Sequence, residues 1–223
     1  MGLPQIIESI SLTIDSALLC NALRVKPGSE HALRIAELVA EAQMIARPKA
    51  AYREVTPERF TTDGVVIDGT ALTGRLLLTN IKPAAKIYAF VATCGTELEA
   101  WAKNYPDLLE SFWTDTIMNM ALGAAVGELE KRLKPLCEDH FMSCMNPGAL
   151  PDWPLTEQRP LFRILGTAPA DIGITLTDSC LLLPLKSISG IYFDSAQDFC
   201  NCQLCPRESC FGRRTPRKDG EQP

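Results

Sequence analysis

A chain of 223 residues has room for one large domain with a sizeable core. Its hydrophobic fraction of 46% and charged fraction of 22% are those of a globular protein, and a net charge of −5 gives no general attraction for nucleic acid or anionic lipid. The opening Met1-Gly2-Leu3-Pro4-Gln5 has no basic stretch leading into an apolar one, and Ile6 stands where a myristoylation signal wants Ser or Thr. The longest apolar run, 117–127, is broken by Asn119 and is shorter than the roughly 20 residues needed to span a bilayer. These features predict a cytoplasmic protein that neither binds nucleic acid nor enters a membrane, with nine cysteines in a reducing compartment.

In chain order, an apolar stripe (Leu12, Ala17, Leu18, Leu19, Ala22) predicts a short helix within 11–23, with Asp15 near its start. Pro27-Gly28-Ser29 is a turn ending in an N-cap. The stripe Leu33, Ala36, Leu38, Val39, Ala42 and Ile45 then predicts a helix that Pro48 stops. Strands are expected at 51–55, 65–67, 76–78 and 87–93, the last being the strongest run and ending in Cys94-Gly95-Thr96-Glu97 at the entry to a helix. The longest helix is placed from about Asp107 to Leu133, with a small-residue middle at 121–127 that allows close backbone packing. Beyond Pro135 come a Pro/Gly-rich turn at 146–154, a helix at 156–165 and strands near 172–176 and 181–185. Mixing of helices and strands without regular alternation argues for an α+β layout rather than a doubly wound parallel sheet. The organisation read from this pattern is an N-terminal helical segment (1–48), an α+β core (49–195) and a cysteine-rich tail (196–223).

Cys200, Cys202, Cys205 and Cys210 form C-x-C-x2-C-x4-C. Four thiolates this close can surround one tetrahedral ion or a cubane cluster, leaving a net −2 that Arg207, Arg213 and Arg214 could offset. An iron–sulfur cluster leads zinc, because zinc knuckles usually separate paired cysteines by two to four residues. The second grouping, Cys137, His140 and Cys144, lacks a fourth ligand and reads as part of a half-buried strand. Cys20, Cys94 and Cys180 read as small buried hydrophobes, and His31 as a surface residue. Two irregular segments could line a binding face: 146–154 with Trp153, and 186–193 with Lys186, Ser189 and Tyr192.

Taken together, three motifs resemble the activation domain of cobalamin-dependent methionine synthase: Cys94-Gly95-Thr96-Glu97-Leu98-Glu99 after an apolar strand, the Pro147-Gly148 loop running into Trp153-Pro154-Leu155, and Lys186-Ser187-x-Ser189-Gly190. The chain is similar above all to free-standing members of that family from anaerobic bacteria and archaea that end in a cysteine tail. The resemblance implies a C-shaped α+β fold with a mostly antiparallel sheet. It also implies docking on a corrinoid-binding protein or corrinoid methyltransferase, whose Co(II) cofactor the domain helps to reduce and remethylate. The implied cofactor-binding residues are Pro147, Gly148, Trp153, Lys186, Ser189, Gly190 and Tyr192, with Cys200, Cys202, Cys205 and Cys210 for the metal.

The family's S-adenosylmethionine loop has the form Arg-x-x-Pro-Gly-Tyr. In this chain Cys144 stands at the Arg position and Ala149 at the Tyr position, so the bidentate carboxylate clamp is missing and S-adenosylmethionine binding is not expected. No catalytic residue is legible. The alternatives to a reactivation role are a non-catalytic corrinoid-protein binding module with a structural zinc tail, and an S-adenosylmethionine-dependent methyl transfer partner.

Overall fold

The computed structural model describes residues 2–137, 140–196, 199–205, 207, 213 and 215–217. Its elements in chain order are β1 (Gln5–Ile7), α1 (Ser16–Ala22), α2 (Glu30–Ile45), β2 (Lys49–Val55), β3 (Arg59–Phe60), β4 (Gly64–Ile67), β5 (Thr70–Thr73), α3 (Arg75–Ile81), β6 (Ile87–Thr93), α4 (Thr96–Ala102) and α5 (Leu108–Leu133). There follow β7 (Phe141–Met145), α6 (Gln158–Leu165), α7 (Ala168–Asp171), β8 (Thr175–Leu176), β9 (Leu182–Leu183) and β10 (Ser187–Ser195).

The helices begin where local chemistry starts them. Asp15 accepts the backbone N–H groups of Ala17 and Leu18 at 2.8 and 3.2 Å, Ser29 accepts that of Ala32 at 3.3 Å, and Asp107 accepts those of Leu109 and Glu110 at 2.9 and 3.1 Å. Each cap satisfies donors that the first helical turn leaves unpaired.

Five strands form an antiparallel sheet in the order β1-β2-β6-β10-β7. All seven residues of β6 are buried, so this continuous apolar run makes a strand covered on both faces. One face holds Ala89, Val91, Ile191 and Phe193 against α3, α6, α7 and the small sheet β3-β4-β5. The other face holds Tyr88, Phe90 and Tyr192 against Ala125, Val126, Leu129 and Leu133 of α5. A third cluster packs α1, α2 and α4 on the first half of α5. The 1–48 stretch is continuous with the rest, since β1 pairs with β2 and α2 packs on α4 and α5.

The mixed architecture with an antiparallel sheet is the expected one, with two segments of different type. Residues 186–193, expected as irregular, form most of strand β10, because their alternating side chains are buried between β6 and β7. Residues 76–78, expected as strand, lie inside α3. A three-residue apolar run has no period of its own, and here Gly74 turns the chain while the Asp152 carboxylate accepts the Leu76 N–H at 2.7 Å. Among the described residues no helix is long and apolar enough to cross a membrane.

Candidate functional site

Strand β10 lies between β6 and β7, and its register sets Tyr192 opposite Cys144 on one side and opposite Tyr88 on the other. Side chains alternate across a strand, so Ile188 and Tyr192 face α5, whereas Ser189, Ile191 and Phe193 face the opposite layer. Tyr192 packs on Phe90 with ring centroids 4.5 Å apart and donates its hydroxyl hydrogen to Glu130 of α5 at 2.8 Å.

Beyond β7 the chain folds into a compact loop. The Gly148 N–H donates to the Trp153 carbonyl at 2.7 Å, and the Ala149 N–H donates to the Asn146 carbonyl at 3.1 Å. Gly148 has φ 82, a conformation that favours glycine, while a Cβ there would press on Leu155 Cδ1 at 2.9 Å, a contact that this exposed side chain can relieve by turning. Asn146 anchors the loop by donating its side-chain N–H to the Ser189 carbonyl at 2.9 Å.

The tail returns to this place. The Phe199 N–H donates to Ser143 Oγ at 3.0 Å, Cys200 forms a parallel β-bridge with Cys144, and the Asn201 side chain donates to Asn146 Oδ1 at 3.0 Å. Arg213 donates to the carbonyls of Cys202 and Cys205 at 2.8 and 3.2 Å, and also to that of Arg207. This arginine therefore organises the tail backbone. Burial pushes the Cys200 thiol up from its ordinary pKa.

Sheet, α5, loop and tail together border a half-open cavity of about 880 Å³. Phe90, Val126, Ile188, Tyr192 and Leu155 give it apolar walls, Gly148 and Ala149 form part of its rim, and Cys144, Cys200, Cys202 and Cys205 line the tail side with Arg207. Of the residues expected at a binding face, Gly148 and Tyr192 therefore meet the tail cysteines in one cavity. Pro147 is buried between the two cavity residues Asn146 and Gly148.

Four others lie elsewhere. Trp153, expected on a rim, is wholly buried in the core beyond the sheet, because the loop turns its large apolar ring inward. Ser189 is buried on the face away from the cavity. Lys186 reaches across to Asp115 of α5 at 2.8 Å. Gly190 is glycine for packing: a Cβ would lie 2.4 Å from the Met145 carbonyl oxygen and 2.8 Å from Phe90.

Cys137, His140 and Cys144 do not gather. Cys137 points at the Leu133 carbonyl, and His140 lies 3.7 Å from Asp194. Cys94 is sealed in the core, where burial pushes its thiol up to about 12. The neighbouring Gly95, with φ 96, turns the chain into α4, and Glu99 accepts the Leu185 N–H at 2.8 Å. Among the described residues no three His, Cys, Asp or Glu side chains already close around one point, and Cys210 and Arg214 lie outside the described residues. Sequence reasoning missed Phe90 and Val126, which enter the site only through strand pairing and helix packing, whereas Asn146 lies at the start of the expected 146–154 segment.

An open antiparallel sheet backed by one long helix, with a cavity between strand ends, loop and tail, defines an α+β domain of the methionine synthase activation-domain fold. The chain is similar to a solved structure described as the MetH reactivation domain bound to AdoHcy, at 17% identity and a TM-score of 0.62, over 91% of this chain and 82% of that one. No family model and no curated protein matches the sequence.

Proposed function

We propose that this protein is an accessory, reactivating partner of a corrinoid methyltransferase system, which docks on a corrinoid-binding protein and assists the reduction of its Co(II). The observation that carries the proposal is the cavity in which Gly148 and Tyr192 meet the cysteine tail, on a fold shared with a domain described as the MetH reactivation domain bound to AdoHcy. Apolar walls from Phe90, Ile188, Tyr192 and Leu155 suit the edge of a planar macrocycle. Glu130 and Phe90 hold Tyr192 in place for that contact.

Cys200, Cys202 and Cys205, with Cys210, supply the donor chemistry for a metal centre, and the three described thiols share one half-buried wall. An iron–sulfur cluster bound there supplies one-electron chemistry. Arg207 beside the thiols would offset their negative charge. One observation favours the alternative of a structural zinc tail on a corrinoid-protein binding module: Arg213 is committed to backbone carbonyls, an arrangement that shapes the tail.

The test uses a purified corrinoid-binding protein of a methyltransferase system, held as Co(II) with a low-potential electron donor. Wild-type protein is expected to speed the appearance of Co(I), and Ile188→Ala, at a cavity residue that is only partly buried, to lose most of that gain while staying folded. Absence of both binding and rate change would eliminate the corrinoid role. A visible spectrum of protein purified without oxygen separates the two tails, since only an iron–sulfur centre gives a broad sulfide-to-iron band near about 400 nm.

A further inference from the structure

We propose that Cys144 is a metal ligand, supplied by the sheet as the fourth thiolate beside Cys200, Cys202 and Cys205, in place of Cys210. The proposal rests on the reading of the tail as metal-holding and adds to it a covalent anchor between tail and core.

Three observations converge on Cys144. It lines the same cavity as the three tail cysteines. It is the β-bridge partner of Cys200, so the two residues present their side chains to the same face from backbones spaced about 4.8 Å apart. Thiolates on a tetrahedral ion with bonds of about 2.3 Å lie about 3.8 Å from one another, a separation such neighbours reach by rotating about χ1. Finally, the tail is pinned on both sides of Cys200, by Phe199 on Ser143 and by Asn201 on Asn146, so Cys200 cannot leave the neighbourhood of Cys144 without breaking both contacts.

All four cysteines are partly exposed, so an ion can reach them and their side chains can turn toward it. Each coordinating thiol gives up its proton to solvent, and no electron transfer is needed for assembly. The chemistry at the head of the loop is thereby changed in kind: a soft sulfur donor stands on β7 and faces the tail. The ion would reinforce a tail already pinned to β7 by hydrogen bonds, joining β7 to the segment that forms the cavity's far wall. The bland alternative is that Cys144 only fills the wall as a small apolar side chain.

Zinc(II) and cobalt(II) titrations of the reduced full-length protein decide the matter, using wild type, Cys144→Ser and Cys210→Ser. Wild type is expected to bind one equivalent of cobalt(II) with thiolate-to-cobalt charge-transfer absorption. Cys144→Ser should weaken metal binding at least tenfold and lose about a quarter of that absorption, while Cys210→Ser should keep both. Alkylation of wild-type protein followed by mass spectrometry reads the ligands without mutation, so a misfolded variant cannot hide the answer. Zinc should protect Cys144, Cys200, Cys202 and Cys205 and leave Cys210 reactive. Full metal binding by Cys144→Ser, protection of Cys210 in place of Cys144, or loss of metal in Cys210→Ser would overturn the assignment while leaving a metal tail intact. A wild-type protein that binds no metal would overturn both.

Discussion

Tyr192 and Glu130 are joined by a hydrogen bond of 2.8 Å that ties strand β10 to helix α5 across the floor of the cavity. Tyr192 is almost wholly buried and its ring stacks obliquely on Phe90, so the hydroxyl is held at one place. A phenol donating to a carboxylate is a charge-assisted bond, with a net contribution of about 1.5–3 kcal/mol where water is excluded and less where one partner is half exposed. Tyr192→Phe is therefore expected to cost about 1–2 kcal/mol in urea unfolding. Combined with Glu130→Gln, the losses should be non-additive by more than about 0.5 kcal/mol. Strict additivity would mean that the two side chains act independently.

Gly190 makes a prediction of opposite kind, about space rather than polarity. Its Cα faces the Met145 carbonyl so closely that a methyl group would sit 2.4 Å from that oxygen and 2.6 Å from the Asn146 side chain. Gly190→Ala must push β7 away from β10, with an expected cost of about 1–3 kcal/mol and disturbance of the loop that Asn146 anchors. An alanine variant as stable as wild type would show that the two strands are less tightly joined than this.

The local signals were legible in the sequence. The bounds of α5, the caps at Asp15, Ser29 and Asp107, and the buried run of β6 all follow from residues within a few positions of each other. The cavity followed only in part. Tyr192 and Gly148 were visible through the family motifs, but that Ser189 faces away and that Cys144 meets Cys200 depend on how β10 registers between β6 and β7, which no local pattern encodes. Trp153 misled for a related reason. A tryptophan in a Pro/Gly-rich loop reads as exposed, yet the loop's internal hydrogen bonds turn the ring inward beneath the sheet.

The acid limb of stability should trace to Glu41. Its carboxylate accepts from the Tyr105 hydroxyl, the larger cause, and from the Trp101 indole at 3.0 Å, and both hold its pKa below the ordinary value. A carboxylate depressed in the folded state adds stability that is fully present above its unfolded pKa of about 4.3 and disappears as pH falls through the folded value. Melting temperatures taken from pH 6 down to pH 3 should fall less steeply for Glu41→Gln than for wild type. Parallel profiles would remove Glu41 from the account. The tie matters for the helical layer, since it fastens α2 to α4 and the turn before α5.

The remaining prediction concerns S-adenosylmethionine, the small molecule that the resemblance implies and the side chains argue against. Cys144 and Ala149, which the resemblance aligns with the family's Arg and Tyr, both line the cavity. Desolvating a carboxylate without a bidentate partner is unfavourable, and among the described residues the arginine that lines the cavity is Arg207 on the exposed tail, where water screens it. Calorimetry on wild-type protein is expected to give a dissociation constant no tighter than about 1 mM, about −4 kcal/mol. Restoring both residues, as Cys144→Arg with Ala149→Tyr, should improve it at least tenfold, about 1.4 kcal/mol, provided circular dichroism shows the fold retained. Low-micromolar binding by wild type would show that the cavity holds S-adenosylmethionine by other groups, and would move the methyl-transfer reading ahead of simple reactivation. If the double variant gains nothing, the clamp is not what this cavity lacks, and the tail folded against Cys144 becomes the better explanation for the absence of binding.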